Sequence, residues 1–174
     1  MNKQTKAIKD MALISICASI LFVQQLALSF IPNVQFSTLL VLLYAKVLGF
    51  KKTTIIIFIH VLMINLLSPL GPVIPLLIPA MIIAWILIPI ISTTILRKVE
   101  NTIHLAIFGL LFGFIYGWVF IPFVVFFLNV PFQPYLIMDI PFEIVMGISN
   151  FITILWLYEP LKKVLVRELE KYQQ

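Results

Sequence analysis

The feature of this sequence that most constrains its fold is the confinement of its charges. Between Asp10 and Lys46, between Lys52 and Arg97, and between Glu100 and Asp139 there is no Asp, Glu, Lys or Arg. The charges form short islands separated by apolar stretches of roughly 15 to 26 residues, most of them long enough for helices across a hydrocarbon core of roughly 30 Å. Hydrophobic residues make up 62% of the chain, against roughly half in a soluble domain. A water-soluble globule of this size could not enclose so much apolar surface. The pattern therefore predicts an all-α integral membrane bundle of six transmembrane helices, a single domain over residues 1–174, and excludes a second domain.

Hydropathy places the spans at about 8–29, 35–50, 53–67, 73–96, 103–128 and 140–165. A cleaved signal peptide is not expected, because the run from Met11 to Ile31 is too long and no small-residue cleavage site follows it. The second span is short and carries Lys46, so either that lysine snorkels or the preceding loop dips inward. A break at Ser68-Pro69-Leu70-Gly71-Pro72 precedes the fourth span, where Pro75, Pro79 and Pro89 predict kinks or a non-helical start. Cys17 lies inside the first apolar run and reads as a small packing residue, which leaves neither a disulfide nor a cysteine metal site.

With six crossings and a cytoplasmic N-terminus, every lysine and arginine falls on the cytoplasmic side, together with the C-terminus. The opposite connections, around Asn33, Pro69 and Pro131, carry none. This satisfies the positive-inside rule and explains the net charge of +5 without any nucleic-acid partner.

Most of the acidic residues lie among those bases, but Asp139 and Glu143 do not. Four residues apart near the outer end of the last span, they share a helical face with Gly147 and Asn150. Asp139 directly precedes Ile140 and Pro141, so it reads as a helix N-cap, a role compatible with ligand contact. Glu143 lies one turn further into an apolar helix, where an ionisable group is costly unless it faces a partner, water or a bound molecule. Gln24, Gln25, Asn33, Gln35, Asn65 and Gln133 map to the same outer half. With Trp85, Tyr116 and Trp118 as aromatic walls, these groups suit a small-molecule cavity open to the outside. The alternative for each, Glu143 excepted, is an ordinary interhelical hydrogen bond. Near mid-membrane lie Asn150 and His60, the latter a hydrogen-bonded packing residue or a proton relay. Substrate-contact candidates are thus Glu143, Asp139, Asn150, Trp85, Trp118, Tyr116, Asn65, Gln25 and Gln35.

Gly109, Gly113 and Gly117 recur every four residues in the fifth span, a small-residue face for close approach of a helix of this chain or of another subunit. Ala12, Ser15, Ala18 and Ser19 give the first span a second small-residue surface, for internal packing or for docking a partner. No phosphate-binding glycine loop, HExxH or GxSxG is present, so ATP hydrolysis, metalloprotease and serine-hydrolase chemistry are not expected. Neither is any cofactor. An enzyme using Glu143 as general acid or base with Asp139 would lack an evident further catalytic group.

The stretch Asp139-Ile140-Pro141-Phe142-Glu143 through Ile148-Ser149-Asn150-Phe151, followed by Leu157-Tyr158-Glu159-Pro160-Leu161, resembles the last helix of the substrate-binding S components of energy-coupling factor (ECF) transporters. The basic start and small-residue first helix are similar to that family too. Its alanine-xxx-alanine docking motif is matched here only by the spacing of Ser15 and Ser19, since Ala12 is followed four later by Ile16. The resemblance, which covers essentially the whole chain, implies a subunit of the prokaryotic cell membrane that captures a vitamin or related small molecule. It further implies association with a transmembrane scaffold subunit and two cytoplasmic ATPases. An autonomous small carrier or channel is the alternative.

The charge distribution sets a direct test of orientation. In a Cys17→Ala background, cysteines replacing Asn33 or Gln133 are expected to react with a membrane-impermeant maleimide on intact cells. A cysteine replacing Lys98 should react only after the membrane is opened.

Overall fold

The computed structural model describes residues 3–67 and 73–173. Among them the chain forms six α-helices and no strand: α1 (Lys3–Ala27), α2 (Ser37–Leu48), α3 (Phe50–Leu67), α4 (Ile78–Thr93), α5 (Thr102–Pro122) and α6 (Phe132–Gln173). The Ser68-Pro69-Leu70-Gly71-Pro72 break lies outside the described residues. Five of these helical segments are long and apolar enough to cross a membrane, and α2 is shorter. Large apolar side chains are exposed along their outer faces, among them Ile16, Phe58, Leu62, Ile83, Leu111, Ile148 and Trp156. An apolar exterior of this extent is the surface of a multi-pass membrane protein.

The short helix is the centre of the bundle. All nine residues from Ser37 to Ala45 are buried, and α2 packs on α4, α6, α3 and α1. A helix apolar on every side can satisfy itself only by being surrounded. Its 12 residues rise only about 18 Å, and Lys46 closes its basic end. The Lys46 ammonium donates to the carbonyls of Leu96 and Val99, the latter at 2.9 Å, capping carbonyls left open after α4. Gly49, at φ +81°, then turns the chain straight into α3, a conformation that a side chain would strain.

The same end of the bundle carries the other charged contacts. Asp10 of α1 and Lys52 of α3 form an ion pair at 2.6 Å, and Thr102 of α5 donates to Glu159 of α6 at 3.3 Å. Both helical termini of the chain lie at this basic end.

Prolines shape the remaining boundaries. Val73 and Ile74 precede a 3-10 turn over Pro75–Leu77, with Ile74 extended, so α4 has a non-helical approach. Past Pro122, α5 widens into a π-helical turn over Phe123–Phe127. The start of α6 differs from the sequence expectation. It begins at Phe132, not beside Ile140, because Pro134 falls in the first turn, where free N–H groups make proline harmless. Pro141 is inside the helix, and Asp139 is therefore an interior residue and not an N-cap.

The closest helix pair is α5 with α6, and the glycine stripe of α5 is its contact. A Cβ built on Gly113 would come within 2.6 Å of the Gly147 Cα and 3.0 Å of the Glu143 carbonyl. Opposite Gly109 the obstruction is the flexible tip of Ile154. The partner of this small-residue face is therefore internal. On α1, Ala18 is wholly enclosed with Cys17 and Leu21, whereas Ser15 and Ser19 are exposed and Ala12 is half-buried.

Backbone cannot yield as a side-chain tip can. Gly113→Ala is expected to lower stability by about 1–3 kcal/mol, and Gly109→Ala by clearly less, measured as thermal unfolding of the two variants in detergent.

Candidate functional site

At the end of the bundle opposite the basic residues, a cavity of about 220 Å³ opens between the α1–α2 loop, α4, α5 and α6. Asn33 comes from the loop and Met81 from α4. Gly113, Tyr116, Gly117 and Phe120 come from α5, and Tyr135, Asp139, Phe142, Glu143 and Met146 from α6.

The loop is held in place by amide bonds from α1. Gln24 donates to the Ser37 hydroxyl at 2.6 Å and to the Leu21 carbonyl, and it accepts from the Phe36 N–H at 2.8 Å. Ser37 in turn donates to the Gln35 side chain at 3.2 Å. This chain of bonds fixes the turn that carries Asn33 at φ +60°, a left-handed conformation that asparagine tolerates better than most residues.

On α6 the spacing 135, 139, 143, 146, 150 keeps one face toward α5. The missing side chain of Gly117 makes room for two carboxylates. A Cβ there would collide with Glu143 Oε1 and lie 2.9 Å from Asp139 Oδ2, so both acids reach toward one point on the α5 backbone. Glu143 is only 3% exposed, and neither of its oxygens has a hydrogen-bond partner. The Trp118 indole N–H is the one donor close to it, near enough for a weak hydrogen bond but outside strict hydrogen-bond geometry. No lysine or arginine occurs in the segments that build this end of the bundle. An uncompensated buried carboxylate is among the costlier groups a membrane protein can hold.

Aromatic rings back the cavity. Tyr116 lies 5.2 Å from Trp85 and 5.1 Å from Phe120, centroid to centroid. Trp85 is buried behind this wall, with Phe112 at 5.9 Å and the edge of His60 at 6.3 Å. His60 is buried with neither ring nitrogen hydrogen-bonded, contrary to a hydrogen-bonded reading of it. It packs by edge-on ring contact with Trp85.

The sequence candidates thus fall into groups. Glu143, Asp139 and Tyr116 line the cavity together, and Trp85 supports Tyr116 from behind. Asn150 lies two turns deeper, donating to the Gly109 carbonyl at 3.1 Å while its own Oδ1 is unpartnered. Asn65 bonds the Val61 carbonyl and the Met81 sulfur, thereby touching a wall residue. Gln35 belongs to the loop network, and Gln25 is half-buried on α1 with its Oε1 unpartnered. Trp118, 54% exposed, faces outward and shares with Glu143 a second hollow whose other walls, Phe114, Phe132 and Ile140 among them, are apolar. Glu143 therefore stands between two openings.

Sequence reasoning missed Met81, Phe120, Tyr135, Phe142 and Met146 as wall residues. Tyr135 lies one turn before Asp139, and Met146 falls on the same periodic face. Placing the helix start at Phe132 would have revealed Tyr135; Met146, inside the expected span, follows from its position three residues after Glu143.

Among the described residues, no three His, Cys, Asp or Glu side chains gather in a way that could hold a metal ion. What the arrangement offers is recognition: two acids, two phenols and an asparagine around an aromatic hollow. No protein-family model, curated protein or solved structure matches this chain.

Proposed function

We propose that this chain is the substrate-binding membrane subunit, or S component, of an ATP-driven ECF-type importer of the prokaryotic cell membrane. It captures a water-soluble vitamin or related small molecule from outside and releases it inward, with a transmembrane scaffold subunit and two cytoplasmic ATPases supplying the energy. The observation that carries this reading is Glu143, a buried carboxylate with no hydrogen-bond partner at the wall of a cavity on the end free of basic residues. A bound molecule is the partner that such a group lacks.

Other features support it. By the positive-inside rule the basic end faces the cytoplasm, which opens the cavity outward. Small residues at Ser15 and Ser19 lie exposed on α1, as a helix that docks on a membrane partner requires. The sequence contains no phosphate-binding loop of its own, and the energy of transport then comes from associated subunits.

Two experiments test the proposal. A matching vitamin or precursor, at a hundredfold excess over its dissociation constant, should stabilise the purified chain by about 2.7 kcal/mol in a thermal-shift screen, and affinity purification should recover a scaffold protein with ATPases. Unaided solute transport by the isolated chain, with no ligand found, would favour an autonomous carrier or channel. Gly117→Ala is expected to abolish ligand stabilisation by displacing the Glu143 carboxylate. In the empty protein it should cost less stability than Gly113→Ala, because the groups displaced are side-chain ends.

A further inference from the structure

We infer that the molecule held at this site is an organic cation of one or two aromatic rings, its positive charge seated between Asp139 and Glu143. This rests on the receptor reading above and adds the chemistry of what is received.

Asp139 and Glu143 extend their oxygens toward one point above Gly117. Two carboxylates so placed repel each other, and the repulsion is stronger in a site shielded from water. In the empty site a proton retained by one of the pair relieves this; a positively charged ligand takes that proton's place, since all 12 lysines and arginines occur in segments that the fold gathers at the opposite end. The two histidines give no compensating charge either: His104 is in the first turn of α5, at the basic end, and His60 is buried behind Trp85. The missing positive charge is therefore the ligand's.

The walls then select the kind of cation. A bare metal ion wants several oxygen or nitrogen donors, and no group of three His, Cys, Asp or Glu is available among the described residues. Around the acids stand Tyr116, Phe120, Tyr135 and Phe142. Ring faces of this kind attract cations and stack on flat ligands. An anion would meet a like charge and a neutral molecule would leave the pair sharing its proton, whereas a cation lets both acids ionise against it. The cavity, about 220 Å³ and open at its mouth, has room for a small ring system.

Single-ring aromatic probes differing in charge provide the test, with the purified full chain in nanodiscs. 1-Methylnicotinamide and benzyltrimethylammonium are the cations, nicotinamide and benzyl alcohol the neutral analogues, nicotinate and benzoate the anions. Thermal shift and calorimetry are expected to show binding by the cations alone, weakened at least about tenfold by Glu143→Gln. Asp139→Asn, at a more exposed position less prone to unfold the protein, should weaken it as well. Equal or tighter binding of neutral or anionic probes, or cation binding unchanged in both variants, would overturn the charge assignment and leave the receptor reading standing. Should no probe of any charge bind, and the denatured protein release no small molecule, the receptor reading fails and this inference with it.

Discussion

The close approach of α5 and α6 is the contact on which the candidate site depends. With hydrogen in place of a side chain at Gly109, Gly113 and Gly117, the backbone of α5 lies against Asn150, Gly147 and Glu143 in succession. Deep in the bundle the space admits backbone; toward the non-basic end it admits carboxylates. One stripe of small residues therefore both joins the two helices and sets the position of the acids. In lipid, where hydrocarbon competes for apolar surfaces, contact of this closeness is the main source of helix association.

The polarity of the bundle gives that arrangement its meaning. Every basic side chain lies at the end where Lys46 caps the carbonyls after α4 and Lys52 pairs with Asp10. Such half-exposed ion pairs contribute modestly to stability, but the segregation leaves the other end acidic and aromatic. There, Gln24 ties the α1–α2 loop across the top of α2, and α2 itself, enclosed on all sides, holds the outer helices apart. The cavity lies between the α1–α2 loop, α4, α5 and α6.

Much of this was legible in the residues themselves. Charge islands and apolar runs mark out the helices, and the isolation of Glu143 from every base singles it out without any coordinates. Less legible were features decided by three-dimensional neighbours. Pro141 looked like the start of a helix that begins at Phe132, because first-turn tolerance applied one proline earlier, at Pro134. Ala18 and Ser19, adjacent in sequence, point respectively into the core and outward, and only the packing of α1 on α3 decides which. The same holds for Trp118, whose outward orientation follows from Gly117 facing α6, since successive helical residues diverge by about 100°. Hydropathy is blind to such rotations when a helix is apolar all round.

The central claim is that the Glu143 position looks into a hollow reached from the end free of basic residues. Its most direct test is a cysteine at that position, in a chain lacking Cys17, treated with a positively charged, membrane-impermeant methanethiosulfonate. Rapid modification from outside intact cells is the result this account predicts. Modification only from the cytoplasmic side, or only by lipid-soluble reagents, would contradict it.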